Sequence, residues 1–252
     1  MDPSVPRQSL YREPPGGGAD PPEDAAPSLL DQIVGVFTAP VPLFRQLAAT
    51  PRWGWALMTS MAFTLAMVLI WAGRVDADAL LRPLLEHNPK VAKELIGQTI
   101  ELQGRLLPIL ASLGVLLGLP AVSLFMAFML WLAGRAAPGP GGSPSYRQAL
   151  SAAVVPGLVS LPKALLVGWL CLATPVRGLK PDAISPLSLG VLFRSGHGKL
   201  DALLTGFDLF VVANLVLMYL AARHIMGLRP VAALFGAGAG AALLAGLQVM
   251  NG

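Results

Sequence analysis

Long apolar runs free of charge alternate along this chain with short segments rich in proline, glycine and arginine. At 1.5 Å rise per residue, about twenty apolar residues cross a hydrocarbon layer about 30 Å thick. Five runs come near that length, at residues 55–72, 107–133, 149–173, 203–222 and 231–249. The expected fold class is all-α: a helical integral membrane bundle of about five transmembrane helices. Trp53, Trp55 and Trp71 bracket the first run. As a helix, Trp53 to Trp71 spans about 27 Å, and indole rings favour the headgroup level at either face. The third run carries Pro156 and Pro162. Proline removes a backbone donor and clashes with the preceding turn, so a kink is expected there. The fifth run places Gly236 and Gly240 at GxxxG spacing, with Gly246 further on. Small residues at that spacing let helix backbones approach closely.

Ahead of the first run, Leu29, Leu30, Ile33, Val34 and Phe37 share one helical face. Ser28 suits the N-cap, Asp31 meets the helix dipole in the first turn, and Pro40 ends the pattern. Leu43, Phe44 and Leu47 form a second apolar turn. Residues 28–54 therefore read as an N-terminal interfacial amphipathic segment, lying in the headgroup layer. Residues 1–27 hold Pro14-Pro15-Gly16-Gly17-Gly18 and no apolar stretch. They read as a disordered tail without a cleavable signal peptide.

The connectors differ in character. Between the first two runs, Asn88-Pro89 suits a helix start, and Lys90 with Glu94 and Glu101 with Arg105 stand four apart. An amphipathic helix leading into the second run is expected. Residues 138–144 are a proline and glycine breaker, and residues 223–229 a short basic turn. A longer connector, 174–201, carries Pro175, Pro181 and Pro186.

Composition sharpens this picture. Hydrophobic residues make up 54% of the 252, and charged residues only 13%. A soluble domain carries about a quarter charged residues, so much of this surface must face lipid. The net charge is +4, and no run of five basic residues occurs, so no nucleic-acid partner is expected. Cys171, the single cysteine, reads as a small buried hydrophobe. Basic residues divide almost evenly between the two sets of loops. The two shortest loops carry only positive charge, which favours a cytoplasmic N-terminus by the positive-inside rule.

Candidate chemistry within the runs is sparse. Lys163 and Asp208 are the sharpest candidates, because an ionisable group in a membrane span demands a partner. Their depths in adjacent antiparallel spans differ by about 8 Å, within reach of a lysine side chain. An ion pair is expected, with Asn214 about two turns deeper in the fourth span. One aspartate cannot form an aspartyl protease dyad, and no H-E-x-x-H or G-x-S-x-G occurs. Ser195-Gly196-His197-Gly198-Lys199 lacks phosphate-loop spacing, since Phe193 replaces the first glycine. His87, His197 and His224 fall in separate segments. No catalytic, cofactor or metal site is expected.

Several motifs occur together in a recognisable order: Val36-Phe37-Thr38-Ala39-Pro40-x-x-x-Phe44-x-x-Leu47, then Ser145-Tyr146-Arg147-Gln148-Ala149-Leu150, then Pro156 with Pro162, and last Leu203-Leu204-x-x-Phe207-Asp208-Leu209-Phe210. In that order, across a five-run chain, they resemble the bacterial branch of the Yip family of Ypt/Rab-interacting membrane proteins. The resemblance runs from about Leu29 to the C-terminus. It implies a Yip-like transmembrane domain over 55–252, a cytoplasmic N-terminus, no enzymatic activity and no cofactor. Eukaryotic members act in vesicle trafficking and bind Rab-type GTPases.

Two readings of function follow. The first is a non-enzymatic scaffold or adaptor in a bacterial cytoplasmic membrane. Its partners would be the lipid bilayer, a protein at the cytosolic N-terminal region, and further copies in a homo-oligomer. The second is a small transporter or permease subunit, with Lys163, Asp208 and Asn214 lining a pathway. The direction in which those polar groups point separates the two.

Overall fold

Helix caps written in the sequence set the first elements. Ser28 accepts a hydrogen bond from the Asp31 N–H at 3.2 Å, and the Asp31 carboxylate accepts from the Ser28 N–H at 2.8 Å. This reciprocal capping box opens α1 (Leu29–Thr38). Pro40 cannot continue that helix but suits the first turn of the next, and α2 (Pro40–Ala49) follows at once. The computed structural model describes residues 26–86, 93–140, 142–176, 178, 184, 187 and 208–251, and among them no strand forms. The expected tail over 1–27 lies almost wholly outside the described residues, as do Asn88-Pro89, His87, His197, Phe193 and Ser195 to Lys199.

Three helical segments are long and apolar enough to cross a membrane: Gly54–Ala72, Lys93–Ala136 and Tyr146–Ala173. The first is α3 (Gly54–Ala72), matching the first expected run. The connector after it is more ordered than its polar composition suggests. It contains α4 (Ala77–Glu86), which packs on α5 (Ile96–Ala136) through Leu81, Leu85, Ile96 and Ile100. The amphipathic connector helix and the second run are thus one helix of 41 residues, about 60 Å long. That is roughly twice the hydrocarbon thickness, so α5 carries its polar N-terminal turns well beyond an apolar layer. The Glu101–Arg105 pair forms at 2.7 Å on those turns, fully in solvent, where such pairs add little.

The third run is divided rather than merely kinked. Ser145 and Gln148 form a second capping box that opens α6 (Tyr146–Val154). At Pro156 the chain tightens into a 3₁₀ segment (Val155–Ser160), and α7 (Leu161–Ala173) resumes with Pro162 in its first turn. Each proline removes one donor from the α-helical ladder, and the i→i+3 pattern absorbs the mismatch. This rod is the centre of the fold. Of its most apolar stretch, 61% is buried, against 22% for α3 and 17% for the α5 segment. Helices α1, α2, α3 and α5 pack on it, as does α8 (Leu209–His224). Helix α9 (Pro230–Asn251) covers α5 and α8.

The N-terminal hairpin belongs to this core. Phe44 and Leu47 are fully buried among Leu158, Ala221 and Ile225, and each contributes about 1.5–3 kcal/mol by leaving water. Gln148 donates from its side chain to the Ala48 carbonyl at 3.1 Å, tying the end of α2 to the start of α6. At the opposite end, Arg74 closes α7. Its guanidinium donates to the Cys171 and Leu172 carbonyls at 3.3 and 2.7 Å, satisfying acceptors that have no helical partner. Cys171 itself is free and buried, packed beside Trp71 and Val167.

Glycines set the closest approaches, though not all at the expected positions. Gly236 lies against Leu130 of α5, where a Cβ would stand 2.5 Å from a Leu130 methyl. Gly246 is exposed, with nothing among the described residues within 4 Å of where a Cβ would stand. The surroundings of Gly240 lie outside the described residues. Two closer contacts involve loop residues. Gly134 abuts the Pro144 ring, and Gly139 lies directly on the Gly227 carbonyl, in the turn where Gly227 adopts φ +65°. A side chain at residue 139 would meet backbone that cannot rotate away. Gly139→Ala is expected to destabilise the purified protein by about 1–3 kcal/mol, whereas Gly246→Ala leaves it unchanged. Thermal unfolding in detergent checks the contrast.

Candidate functional site

The expected ion pair forms. Lys163 Nζ stands 2.7 Å from Asp208 Oδ2, with the aspartate side chain 1% exposed and the lysine 18%. Asp208 does not lie within a helix, as the fourth run at 203–222 would have it. It is the N-cap of α8: its backbone is extended (φ −120°, ψ 175°), and its Oδ1 accepts the Val211 N–H at 2.9 Å. One carboxylate thus does two jobs. One oxygen satisfies an orphan donor of the helix start, and the other holds the ammonium. Helix α8 is therefore only 16 residues long, about 24 Å.

Local structure explains how Lys163 arrives there. It follows Pro162 in the first turn of α7, just past the 3₁₀ segment. Ten residues separate it from Ala173, about 15 Å of helix, or half the thickness of a hydrocarbon layer. A charge at such a depth is costly alone, and the pair answers that cost.

Asn214 lies elsewhere. It stands six residues along α8 from Asp208, about 9 Å, and faces a cavity of about 210 Å³ between α3, α5, the 3₁₀ segment and α8. Each of these elements brings a small polar side chain to the wall. Ser60 and Thr64 come from α3, Ser123 from α5, Ser160 from the 3₁₀ segment and Asn214 from α8. Leu57, Val122, Met126 and Met218 supply apolar wall between them. Ser60 Oγ and Asn214 Oδ1 are buried and have no hydrogen-bond partner. Among the described residues no ionisable side chain lines the cavity.

The three expected polar residues therefore separate into two arrangements. Lys163 and Asp208 come together, and Asn214 joins four hydroxyl residues that sequence reasoning passed over. Their signal was faint: Ser60 and Thr64 stand one helical turn apart in a charge-free run, a spacing equally suited to neutral packing. Among the described residues no group of three His, Cys, Asp or Glu could hold a metal ion. His224 ends α8, near Arg45 and Arg223.

A second arrangement stands at the surface. On α1, Leu30, Val34 and Phe37 are 72%, 56% and 48% exposed, at i, i+4 and i+7. Gln32 and Val36 face the bundle instead. The apolar arc of α1 is thus wider than its protein contact, and one edge of it remains uncovered. Nearby, Phe128, Trp131 and Tyr146 form an aromatic cluster, with Trp131 and Tyr146 edge to face at 6.3 Å. The Arg135 guanidinium sits 4.9 Å over the Trp131 ring. Tyr146 donates its hydroxyl hydrogen to the Leu124 carbonyl at 3.2 Å.

No family model, curated protein or solved structure matches the chain. The resemblance to the Yip family thus gains no support from these comparisons.

Breaking a buried pair from one side leaves an uncompensated charge and costs about 3–5 kcal/mol. Lys163→Met is expected to destabilise the protein on that scale, and adding Asp208→Asn to recover most of the loss. Asparagine still caps α8, so Asp208→Ala should cost about 1 kcal/mol more than Asp208→Asn. Chemical unfolding of the four variants in detergent gives this order.

Proposed function

We propose that the protein is a non-enzymatic scaffold or adaptor of a bacterial cytoplasmic membrane, with five spans and a cytoplasmic N-terminus. The observation that carries this reading is the uncovered ridge of Leu30, Val34 and Phe37 on a hairpin rooted in the core. Such a ridge suits the acyl boundary of the near leaflet, and a rooted hairpin makes a fixed platform at the membrane surface. The host membrane and the absence of catalysis come from the Yip resemblance and the lack of catalytic motifs.

The five spans would be α3, α5, the α6–α7 rod, α8 and α9, three of which are long and apolar enough to cross. Helix α9 has 22 residues, about 33 Å, enough to cross. Charge supports the orientation. The end bearing α1 and α2 carries Arg45, Arg52, Arg135, Arg147, Arg223 and Arg229, and among its described residues one carboxylate, Asp31. At the other end the sequence places Arg74, Arg82, Lys90, Lys93, Arg105, Arg177, Lys180, Arg194 and Lys199, so the basic totals of the two ends nearly cancel. The two shortest loops, 134–147 and 223–229, lie at the α1 and α2 end and carry only positive charge, which favours that end as the cytoplasmic one under the positive-inside rule. A partner protein would then meet this platform together with the preceding residues 1–25.

The second reading, a small transporter, is favoured by one observation: Asn214 faces a polar cavity. The Lys163–Asp208 pair speaks against it, because Asp208 is buried and already committed to a cap and an ion pair.

Removing residues 1–47 is a poor test, since it deletes Phe44 and Leu47 from the core. Cross-linking in native membranes, with mass spectrometry of the purified product, should instead compare three chains: intact, lacking residues 1–25, and with Leu30, Val34 and Phe37 changed to serine. A stoichiometric protein partner is expected on the intact chain and severalfold less on the altered ones. A partner retained equally by all three, or none on any, would sink the adaptor reading.

A further inference from the structure

The cavity beside Asn214 has features that neither the ion pair nor the hairpin explains. We propose that it is a binding site for a small uncharged solute rich in hydroxyl groups, of the polyol class. The inference goes beyond the adaptor reading and stands on the cavity alone.

Size comes first. A cavity of about 210 Å³ exceeds the roughly 150 Å³ of an engineered apolar cavity that stays dry and takes up benzene. At about 30 Å³ per water, it has room for about seven waters or one solute of a few carbon atoms. Chemistry then narrows the occupant. An unpaired amide or hydroxyl in apolar surroundings carries a desolvation cost of about 1–3 kcal/mol by protein mutational measures. Asn214 Oδ1 and Ser60 Oγ are both in that state. Both oxygens are enclosed by protein, so an occupant meets the other polar groups of the wall. The hydroxyls of Thr64, Ser123 and Ser160 both donate and accept, the same pattern that a polyol presents.

The wall also excludes alternatives. Among the described residues no charged side chain lines it, so an ionic solute would enter an apolar bundle without a counter-charge. The nearby Lys163 and Asp208 charges meet each other at 2.7 Å. Water alone would leave the apolar wall poorly used. Leu57, Val122, Met126 and Met218 give a carbon skeleton something to pack on, while the hydroxyl residues hold its oxygens.

Four helices converge on the site, and the prolines help to shape it. The 3₁₀ segment at Pro156 brings Gly157 and Ser160 to the wall. Gly157 has open space where a side chain would stand. An unbroken helix would present a different face at that level.

The test uses the full chain in lipid nanodiscs, with glycerol as probe and ligand-observed saturation-transfer NMR as readout. Glycerol 3-phosphate serves as the charged counterpart. Glycerol is expected to receive saturation from the protein and glycerol 3-phosphate none. Asn214→Leu should weaken glycerol affinity about tenfold, the scale of one lost hydrogen bond to a buried group. Ser60→Ala and Ser123→Ala change less of the wall, and each should weaken it severalfold if Asn214→Leu fails to fold. Val212→Ser, on the outer face of α8, should bind as the parent does. Overturning results are no transfer to glycerol in the parent, equal transfer to glycerol 3-phosphate, or unchanged affinity when the wall residues are altered.

Discussion

Everything in this bundle leans on one interrupted rod. Pro156 and Pro162 cannot donate to a helical ladder, and the apolar interior offers no water to take up the difference. The chain answers with six residues of 3₁₀ helix between α6 and α7. That segment is well enclosed, with Val155, Pro156 and Leu158 buried and α1, α3 and α8 packed on it. Its tighter pitch changes which residues face which neighbour on either side. Lys163 is thereby presented to Asp208, and Gly157 and Ser160 to the polar cavity.

Two ways of handling polarity in an apolar bundle meet on α8. Asp208 is fully engaged, by the Val211 N–H on one oxygen and the Lys163 ammonium on the other. The result locks the start of α8 to the middle of the rod, and leaves neither charge exposed to lipid without a partner. Asn214 is the opposite case: its carbonyl oxygen is enclosed without a donor, and the residue lines the cavity. A pair that satisfies itself reads as structure, and a cavity walled by hydroxyl residues reads as a place for something else.

The N-terminal hairpin joins the core to the surface. Its second helix is anchored by Phe44 and Leu47 and by the Gln148 link to Ala48. Its first is only partly covered, because its apolar arc extends past the contact with the bundle. The arginines gathered around it and the Trp131 cluster give this end the mixture of apolar and basic groups that suits a headgroup layer.

Much of this was legible in the residues. The cap at Ser28, the end of α1 at Pro40, the limits of α3 and the Glu101–Arg105 pair follow from local rules of backbone geometry and spacing, which act over one or two turns. The ion pair was legible too, because a buried charge demands a partner and the chain offers few. Tertiary packing decided the rest. Which edge of the α1 arc meets protein depends on where α2 turns. Gly236 is a contact because it faces Leu130 of α5, and among the described residues Gly246 meets nothing. Gly139 matters because two loops distant in sequence meet, and Gly134 because the end of α5 lies against the Pro144 ring. The hydroxyls of Ser60, Thr64, Ser123 and Ser160 look neutral one at a time in an apolar run. They become a site only when four helices bring them around one space, and no one-dimensional pattern encodes that convergence.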